Sequence, residues 1–567
     1  MSWIQSLVYS PIYGGLYKQA EESGHWRKLP SSYKGKDQSG APVMGKTWVR
    51  KSRMKSFFKP YDHQKEFIRR VTTFPEKEGV IAAHGTGTGK TVSSVAAFEA
   101  LKDKKKANRA LVVVPAGLRN NFLEKGVKKF TDSKGVILKR AGKDVGDDVE
   151  YVITSYSAFR KNPDAFIDKY KPDVLIADEM HKVTNQRSQT FKALEHARDK
   201  IPRFMGLTAS IVQNDPSDIA PILRIARSGE AEHPLGSKKF VKKFVKRMPS
   251  EKKGIFGGKT FDKVLVGQPA ILGLLGKNVH YVEDLDADKK PRKEVQTVKT
   301  EMSKEQLKLY KDAMKGVDPR IQAKIAAGEQ VSDKEAASYF VRLIHARRVS
   351  NSLHGHVPGM TLSQAAEKTP KIKKVLDDAV QHIQRTPDAQ IIMYTNLVHG
   401  GVDVLEAGLR NRGINYGVFA GKGKRGVSER TRQQAVKDYQ DRKNKVILIT
   451  GAGAEGLSLG NTTMVQMVDG HYNPERINQA QARGIRAKGL SHRPKEKRKV
   501  MVREYVTTVP KSFWRMITFR DAEKSIDQFI YSRARGKERV NKQLRDVLAK
   551  RSKRDSQRSY MNILFGA

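Results

Sequence analysis

Short apolar runs recur along this chain in two separate stretches, each run followed by a segment with helical spacing. Between residues 56 and 225 the runs are "GVIAA" (79–83), "RALVVVPAG" (109–117), "VEYVITSYS" (149–157), "PDVLIADEM" (172–180) and "RFMGLTAS" (203–210). Runs this short and this β-branched predict strands covered on both faces, as in a parallel sheet. Between residues 371 and 508 the rhythm restarts with "AQIIMYTNL" (389–397), "INYGVFAGK" (414–422), "NKVILITGAGAEGLSL" (444–459), "TTMVQMVDG" (462–470) and "RKVMVREYV" (498–506). Strands alternating with helices predict an α/β protein: two doubly wound parallel-sheet lobes in tandem, with ligands at the strands' carboxyl ends.

Residues 226–370 read as a mostly helical insertion between the lobes. Within it, "SKKFVKKFVKRM" (237–248) places Phe240, Val241, Phe244, Val245 and Met248 on one helical face, which predicts a helix docked by its apolar stripe. In the basic tail, residues 509–567, Val540, Leu544, Val547 and Leu548 mark a second amphipathic helix, which either extends a nucleic-acid track or binds an acidic partner. Residues 1–55 form a basic extension holding Trp3, Trp26, Trp48 and the stretch "SSYKGKDQSGAPVMGK". It is expected either to pack its aromatics on the first lobe or to order on a partner.

Charge narrows the choice of partner. The 567 residues carry 108 Lys+Arg against 60 Asp+Glu, a formal net charge of +48. A surface this basic attracts polyanions through counterion release and long-range steering, so nucleic acid is the expected partner. The chain has no cysteine, which excludes disulfides, cysteine-ligated zinc and thiolate catalysis. No apolar run approaches the ~20 residues of a membrane span, and no membrane partner is expected. "MSWIQSLVYSPIYGG" lacks a basic region followed by a continuous apolar core, so no signal peptide is expected.

The first apolar run leads into "HGTGTGKT" (84–91), where Gly85, Gly87, Thr88 and Gly89 precede Lys90 and Thr91. Glycines there let backbone N–H groups turn toward phosphate oxygens. Lys90 would reach the β/γ-phosphates and the Thr91 hydroxyl would hold Mg²⁺, which makes ATP and Mg²⁺ the expected ligands. Val92, Val95, Ala96 and Leu101 continue with helical spacing. The first position of the loop is His84, where the usual pattern has glycine. Downstream, Asp178 and Glu179 end another apolar strand. Asp178 is suited to hold Mg²⁺ through water and Glu179 to orient and deprotonate an attacking water. No second histidine lies at helical spacing from His181, so a metalloprotease is excluded. In "NPERINQAQARGIRAKG", Gln479, Arg483 and Arg486 stand at i, i+4 and i+7, on one face of a helix. Such arginines can cross a cleft and stabilise charge on a transferring phosphoryl group.

Taken together, these motifs resemble superfamily 2 helicases and translocases of the remodeller (Swi/Snf-like) branch, over roughly residues 56 to 508. "FFKPYDHQKEF" resembles the adenine-reading Q motif, with Gln64 in place, and "HGTGTGKT" resembles motif I. "VVVPAGLRNNF" resembles motif Ia, with Pro115, Arg119 and Asn120, and "VITSYSAFR" is similar to a backbone-contacting element, with Thr154, Ser155 and Tyr156. "DEMHKVTNQRS" is similar to the DEAH box, with Met180 for the usual alanine. "GLTASIVQND" resembles motif III and retains Thr208, Gln213 and Asn214. "GAEGLSL" resembles motif V, with Gly456 and Ser458, and "QAQARGIR" resembles motif VI. The lead-in "PRKEVQTVKTEMSKEQLKLYKDAM" is similar to that of remodeller-type motors. "SHRPKEKRKV" after motif VI adds a narrower resemblance, to the nucleoside triphosphatase I group of poxviruses and related large DNA viruses, which act in transcription.

The resemblance implies two RecA-like lobes with ATP between them. The first lobe would contribute Gln64, Lys90, Thr91, Asp178 and Glu179, and the second the arginines. It implies a nucleic-acid-stimulated ATPase that tracks on double-stranded DNA by its phosphates, with RNA polymerase or another transcription or packaging component as partner. Alternatives are a strand-separating DNA or RNA helicase, a restriction-complex motor subunit, and a basic structural or packaging protein with a vestigial motor.

Overall fold

The computed structural model describes residues 26–28, 35–36, 42–43, 48–50 and 54–565, apart from 86, 228–236, 254–258, 277, 284–289, 328–337, 421–427, 452–456, 458, 487–488 and 511–523. Most of the N-terminal extension, Trp3 included, lies outside the described residues. Trp26–Lys28 pairs antiparallel with Trp48–Arg50.

The first lobe is built on seven parallel strands: β1 (Gly79–His84), β2 (Ala110–Val114), β3 (Lys134–Ile137), β4 (Val149–Ser155), β5 (Val174–Asp178), β6 (Arg203–Thr208) and β7 (Val279–Val282). They lie in the order β7-β1-β6-β5-β2-β4-β3. Every residue of β1, β2, β5 and β6 is buried. Successive side chains feed opposite cores. Ile81, Ala83, Leu111 and Val113 enter one, while Val80, Ala82, Ala110 and Val112 enter the other. That two-sided burial is why these strands read as unbroken apolar runs. Helices α1 (Asp62–Thr73) and α2 (Lys90–Asp103) pack together over the second core.

The second lobe has six parallel strands: β8 (Arg292–Glu301), β9 (Ile391–Tyr394), β10 (Tyr416–Phe419), β11 (Val446–Ile449), β12 (Met464–Met467) and β13 (Lys499–Thr508). Their order is β8-β13-β12-β9-β11-β10. The alternation repeats, with Ile392 and Tyr394 on one side and Ile391 and Met393 on the other. Helix α3 (Pro370–Arg385) packs beside β8 and β13, and helix α4 (Pro474–Gly484) beside β12. The fold class is the one the sequence predicts.

Helices predominate between the lobes, but this segment also carries four strands. Val245–Lys253 and Lys259–Leu265 form an antiparallel hairpin, β7 extends the first sheet beside β1, and β8 extends the second beside β13. The helix expected over 237–248 is shorter than its apolar stripe. It ends at Phe244, Val245 opens a strand and Met248 is exposed. Phe240 and Phe244 still dock in the first lobe's core. Pro249 disfavours helical conformation at Met248, in keeping with the strand there.

Among its described residues the basic tail holds one helix, α5 (Ile526–Phe565), and this helix is not a free arm. Ile526, Phe529 and Ile530 enter a core beside the second lobe, Tyr531 and Ala534 enter the second lobe itself, and Val540, Leu544 and Leu548 enter the first. Polar bonds reinforce both ends. Lys371 meets Asp527 at 2.8 Å in the second lobe, with both side chains buried. The Arg551 guanidinium donates to the carbonyls of Leu272 and Gly276 at 2.6 and 2.9 Å. Among the described residues no helix is long and apolar enough to cross a membrane.

Candidate active site

The carboxyl ends of β1, β5 and β6 converge on one edge of the first sheet, and the loop after β1 turns there. Gly87 and Gly89 take positive φ of 83° and 80°. A Cβ on Gly89 would stand 2.6 Å from Gln64 Nε2, so both space and backbone call for glycine. Lys90 opens α2, and its ammonium donates to the carbonyls of His84 and Gly85 at 3.0 and 3.1 Å. Gln64, on α1, is buried and holds the loop. Its Nε2 donates to the Thr88 carbonyl at 3.3 Å and its Oε1 accepts from the Tyr61 N–H. His63 contacts the same Thr88 carbonyl at 2.9 Å. Thr91 follows in the first turn of α2, its methyl packed where a Cβ on Gly126 would fall.

His84 is accommodated by a partner from the insertion. Its Nε2 lies 2.9 Å from Nδ1 of His280 on β7, and its ring meets Phe67 edge-on. Burial, with His280 alongside, lowers its pKa well below the ordinary value and keeps it neutral. Met180, the other departure, is also answered by a neighbour. It is fully buried, and a Cβ on Gly206 of β6 would run into its sulfur.

Asp178 and Glu179 stand at the end of β5. Glu179 takes a left-handed backbone, φ 55° and ψ 48°, a conformation that costs a side-chain-bearing residue roughly 1–3 kcal/mol. Burial and the adjacent Glu179 push the Asp178 carboxyl up, with Lys90 opposing. Burial would raise Glu179 too, but His181 and Lys90 outweigh it and its pKa is lowered. His181 Nδ1 lies 3.2 Å from Glu179 Oε2 and 3.3 Å from Thr208 Oγ1, which ties the acidic pair to the end of β6.

The second lobe brings its arginines to the same place. Arg483 and Arg486 both donate to the Leu457 carbonyl, at 3.2 and 2.8 Å. Helix α4 ends at Gly484, so Arg486 follows the helix instead of sharing its face with Gln479 and Arg483. The ensuing turn nevertheless swings its guanidinium to the same carbonyl. Burial lowers the pKa of Lys90, with Glu179, Asp178 and Arg486 all close enough to act on it. Gln479 is half-buried on α4. Gly456 and Ser458 lie outside the described residues.

Of the residues expected to touch nucleic acid, several turn inward. Thr154 is buried and donates to the Leu138 carbonyl at 2.9 Å, and Tyr156 donates to the Asp178 carbonyl at 2.6 Å. Ser155 caps a short helix by accepting from the Ala158 N–H, and Thr208 donates to the Ser210 carbonyl. Their hydroxyls are engaged inside the lobe. Pro115 is buried at the end of β2, whereas Asn120 and Asn214 are exposed and Arg119 and Gln213 half-buried.

One residue at this edge escaped the sequence reading. Glu475, in the first turn of α4, lies against Ser210 of the first lobe and faces His181, Arg545 and Glu538. Burial raises its carboxyl to about 7. Nearby, Lys537 of α5 donates to the Asn214 side chain at 2.6 Å.

Comparison with known proteins matches this geometry to a family. Residues 42–354 match the SNF2-related domain and residues 371–488 the helicase conserved C-terminal domain. The chain belongs to the SNF2-related family. Its members are ATP-dependent helicases and translocases, and the chain is an enzyme of that ATPase class. Relatives of this SNF2-related chain include L538 of Acanthamoeba polyphaga mimivirus, named as an ATP-dependent RNA helicase, 23% identical over 80% of this chain and 90% of that one. The ATP-dependent helicase YqhH of Bacillus subtilis is 23% identical over 87% and 81%, and the DNA repair and recombination protein RAD54-like of Gallus gallus 23% over 74% and 62%. Among solved structures, the Sulfolobus solfataricus SWI2/SNF2 ATPase core with double-stranded DNA covers 87% of this chain and 99% of its own, at 16% identity and a TM-score of 0.34.

Proposed function

We propose that this chain is an ATP-driven translocase that moves along double-stranded DNA by its phosphate backbone and displaces or remodels what is bound there. The observation that carries the proposal is the convergence of Lys90, Asp178 and Glu179 from one lobe with Arg483 and Arg486 from the other at a single edge. Residues split between two lobes can act together only when the lobes approach, which couples hydrolysis to movement.

The donor set suits ATP with Mg²⁺. Gly87 and Gly89 take the left-handed backbone that lets a loop turn N–H groups toward phosphate, and Asp178 is a carboxyl raised by burial and by Glu179, which a hard divalent cation would return to its ionised form. Thr91 and Asp178 would hold the Mg²⁺, whose chemistry is to neutralise charge on the phosphates. Glu179, whose lowered pKa keeps it ionised at neutral pH, orients and deprotonates the attacking water, and His181 fixes the carboxylate. Arg483 and Arg486 stabilise the charge that develops on the transferring phosphoryl group.

Exposed Asn120 and half-buried Arg119 support a backbone-gripping, sequence-tolerant track, as does the net charge of +48. The mimivirus relatives support a place among the motors of large DNA viruses, and a role in transcription with RNA polymerase or a packaging component rests on the "SHRPKEKRKV" resemblance alone. Their names also favour a second reading, an RNA helicase. Steady-state ATP hydrolysis with no polymer, duplex DNA, single-stranded DNA or RNA, beside Lys90→Ala, tests both. Stimulation by duplex DNA that the substitution abolishes supports the proposal. Stimulation by RNA alone supports the second reading, and no hydrolysis with any polymer refutes both.

A further inference from the structure

A second cationic site lies at the opposite end of the second sheet. Thr463 and Met464 begin β12 and Lys499 begins β13, so this is the amino edge, away from the ATP cleft. A cavity of about 220 Å³ opens there, lined by Asp378, His382, Arg385, Arg493, Lys499 and Arg503 among others. Two periodicities build it. Asp378, His382 and Arg385 stand at i, i+4 and i+7 on α3, and Lys499, Met501 and Arg503 alternate onto one face of β13. The "SHRP" stretch supplies a third wall. His492 Nε2 and Arg493 Nε reach Asp388 at 2.8 and 2.7 Å, which pins Arg493 at the rim.

The cavity's own carboxylates are already engaged. Asp388 holds Arg493 and His492. Asp378 accepts from Lys374, Tyr505 and Arg503, each at 2.8 Å. Arg385 is exposed and has no carboxylate partner among the described residues, and Lys499, with half its side chain exposed, makes one surface ion pair, to Glu294 at 3.4 Å. The Nε of Arg503 is buried without an acceptor. His382 is hydrogen-bonded to Thr463 at 2.8 Å, and burial, with Arg503 and Arg493, lowers it to about 4, so it adds donors and acceptors but no charge at neutral pH.

We propose that this cavity is a phosphoryl-binding site separate from the ATP cleft, taking a dianionic phosphate on Arg385 and Lys499. Arg385 brings an uncompensated cation, Lys499 can exchange its exposed pair with Glu294 for a phosphoryl oxygen, and guanidinium fits such oxygens in pairs. The same two cations would serve one dianionic free phosphate group or two neighbouring monoanionic phosphodiesters of a nucleic acid.

The test uses the full chain carrying Lys90→Ala, which weakens phosphate binding in the ATP cleft. Inorganic pyrophosphate is titrated calorimetrically with and without the added pair Arg385→Glu and Lys499→Glu. Affinity should fall about tenfold with the pair. Unchanged affinity, or no binding in Lys90→Ala alone, overturns the site. Should the reversed pair lower the thermal transition, Arg385→Gln with Lys499→Gln replaces it under the same criterion. Fluorescence anisotropy of a labelled duplex on the same proteins separates the sources. A parallel loss of duplex affinity names the phosphodiester backbone, and unchanged duplex affinity names a free phosphate compound. A loss for duplex with none for pyrophosphate reflects surface charge alone and overturns the cavity's role.

Discussion

Glu475 offers a direct handle on the contact between lobes. It belongs to the second lobe, lies against Ser210 of the first and faces Arg545 and Glu538 of α5. In the unfolded chain it titrates near 4.5, and burial in the native state raises it to about 7. Below pH 4.5 both states hold the proton and no difference arises. Between pH 4.5 and 7 the unfolded chain releases it while the native state keeps it, so stability is lost as pH rises, and above 7 the loss is complete. At ~1.4 kcal/mol per pH unit the loss reaches about 3.5 kcal/mol. Glu475→Gln keeps a hydrogen-bonding side chain and removes the titration. The variant should match wild type near pH 4.5 and melt higher at pH 8, by roughly 5–10 °C. Differential scanning calorimetry across that range measures the gap. A gap that stays constant from pH 4.5 to 8, or a variant less stable at pH 8, would show that Glu475 is not held at this junction in its protonated form.

Glu179→Gln should retain ATP binding and lose turnover by about 10²–10⁴-fold, the range for removing a general base; hydrolysis within a few-fold of wild type would assign the role elsewhere. Lys102 is fully buried between Glu99 and Glu150, 2.7 Å from each, and Lys102→Met should cost about 3–5 kcal/mol by leaving two carboxylates unpaired, read as a urea midpoint shift. Gly206→Ala alone should cost about 1–3 kcal/mol by overpacking Met180. The double variant Met180→Ala/Gly206→Ala should recover part of that loss, and strictly additive effects would mean the two do not share one space.

The parallel strands were legible because two-sided burial writes itself as short apolar runs: β2, β5, β6, β9 and β11 all lie within the runs that predict them, and β1 exceeds its run by His84 alone. The phosphate loop, the acidic pair and the arginines were legible as local patterns placed at strand ends. What sequence could not supply were contacts between distant segments. Neither His84 nor Met180 announces His280 or Gly206, which make room for them from β7 and β6. Thr154 and Tyr156 sit in a motif, but a motif does not say which way a hydroxyl points, and both point inward. Glu475 carries no signal in its own neighbourhood, because its partners come from the other lobe and from α5.

The tail shows how the same limit bears on mechanism. Val540, Leu544 and Leu548 predict an amphipathic helix, and their cover turns out to be the first lobe, while residues 526–534 of the same helix are rooted by the second. A continuous helix is stiff along its axis, so movement of the lobes must bend α5 or unseat one half. Gly536 lies between the two rooted halves, and a Cβ there would meet nothing within 4 Å. Packing therefore does not require glycine at this point, although glycine inside a helix costs about 1 kcal/mol relative to alanine. Flexibility is the property that alanine would remove. Gly536→Ala should raise the thermal transition while slowing polymer-stimulated hydrolysis with basal hydrolysis unchanged. Equal rates in the more stable variant would mean that the lobes move without bending α5, and that one of its two apolar anchors lets go instead.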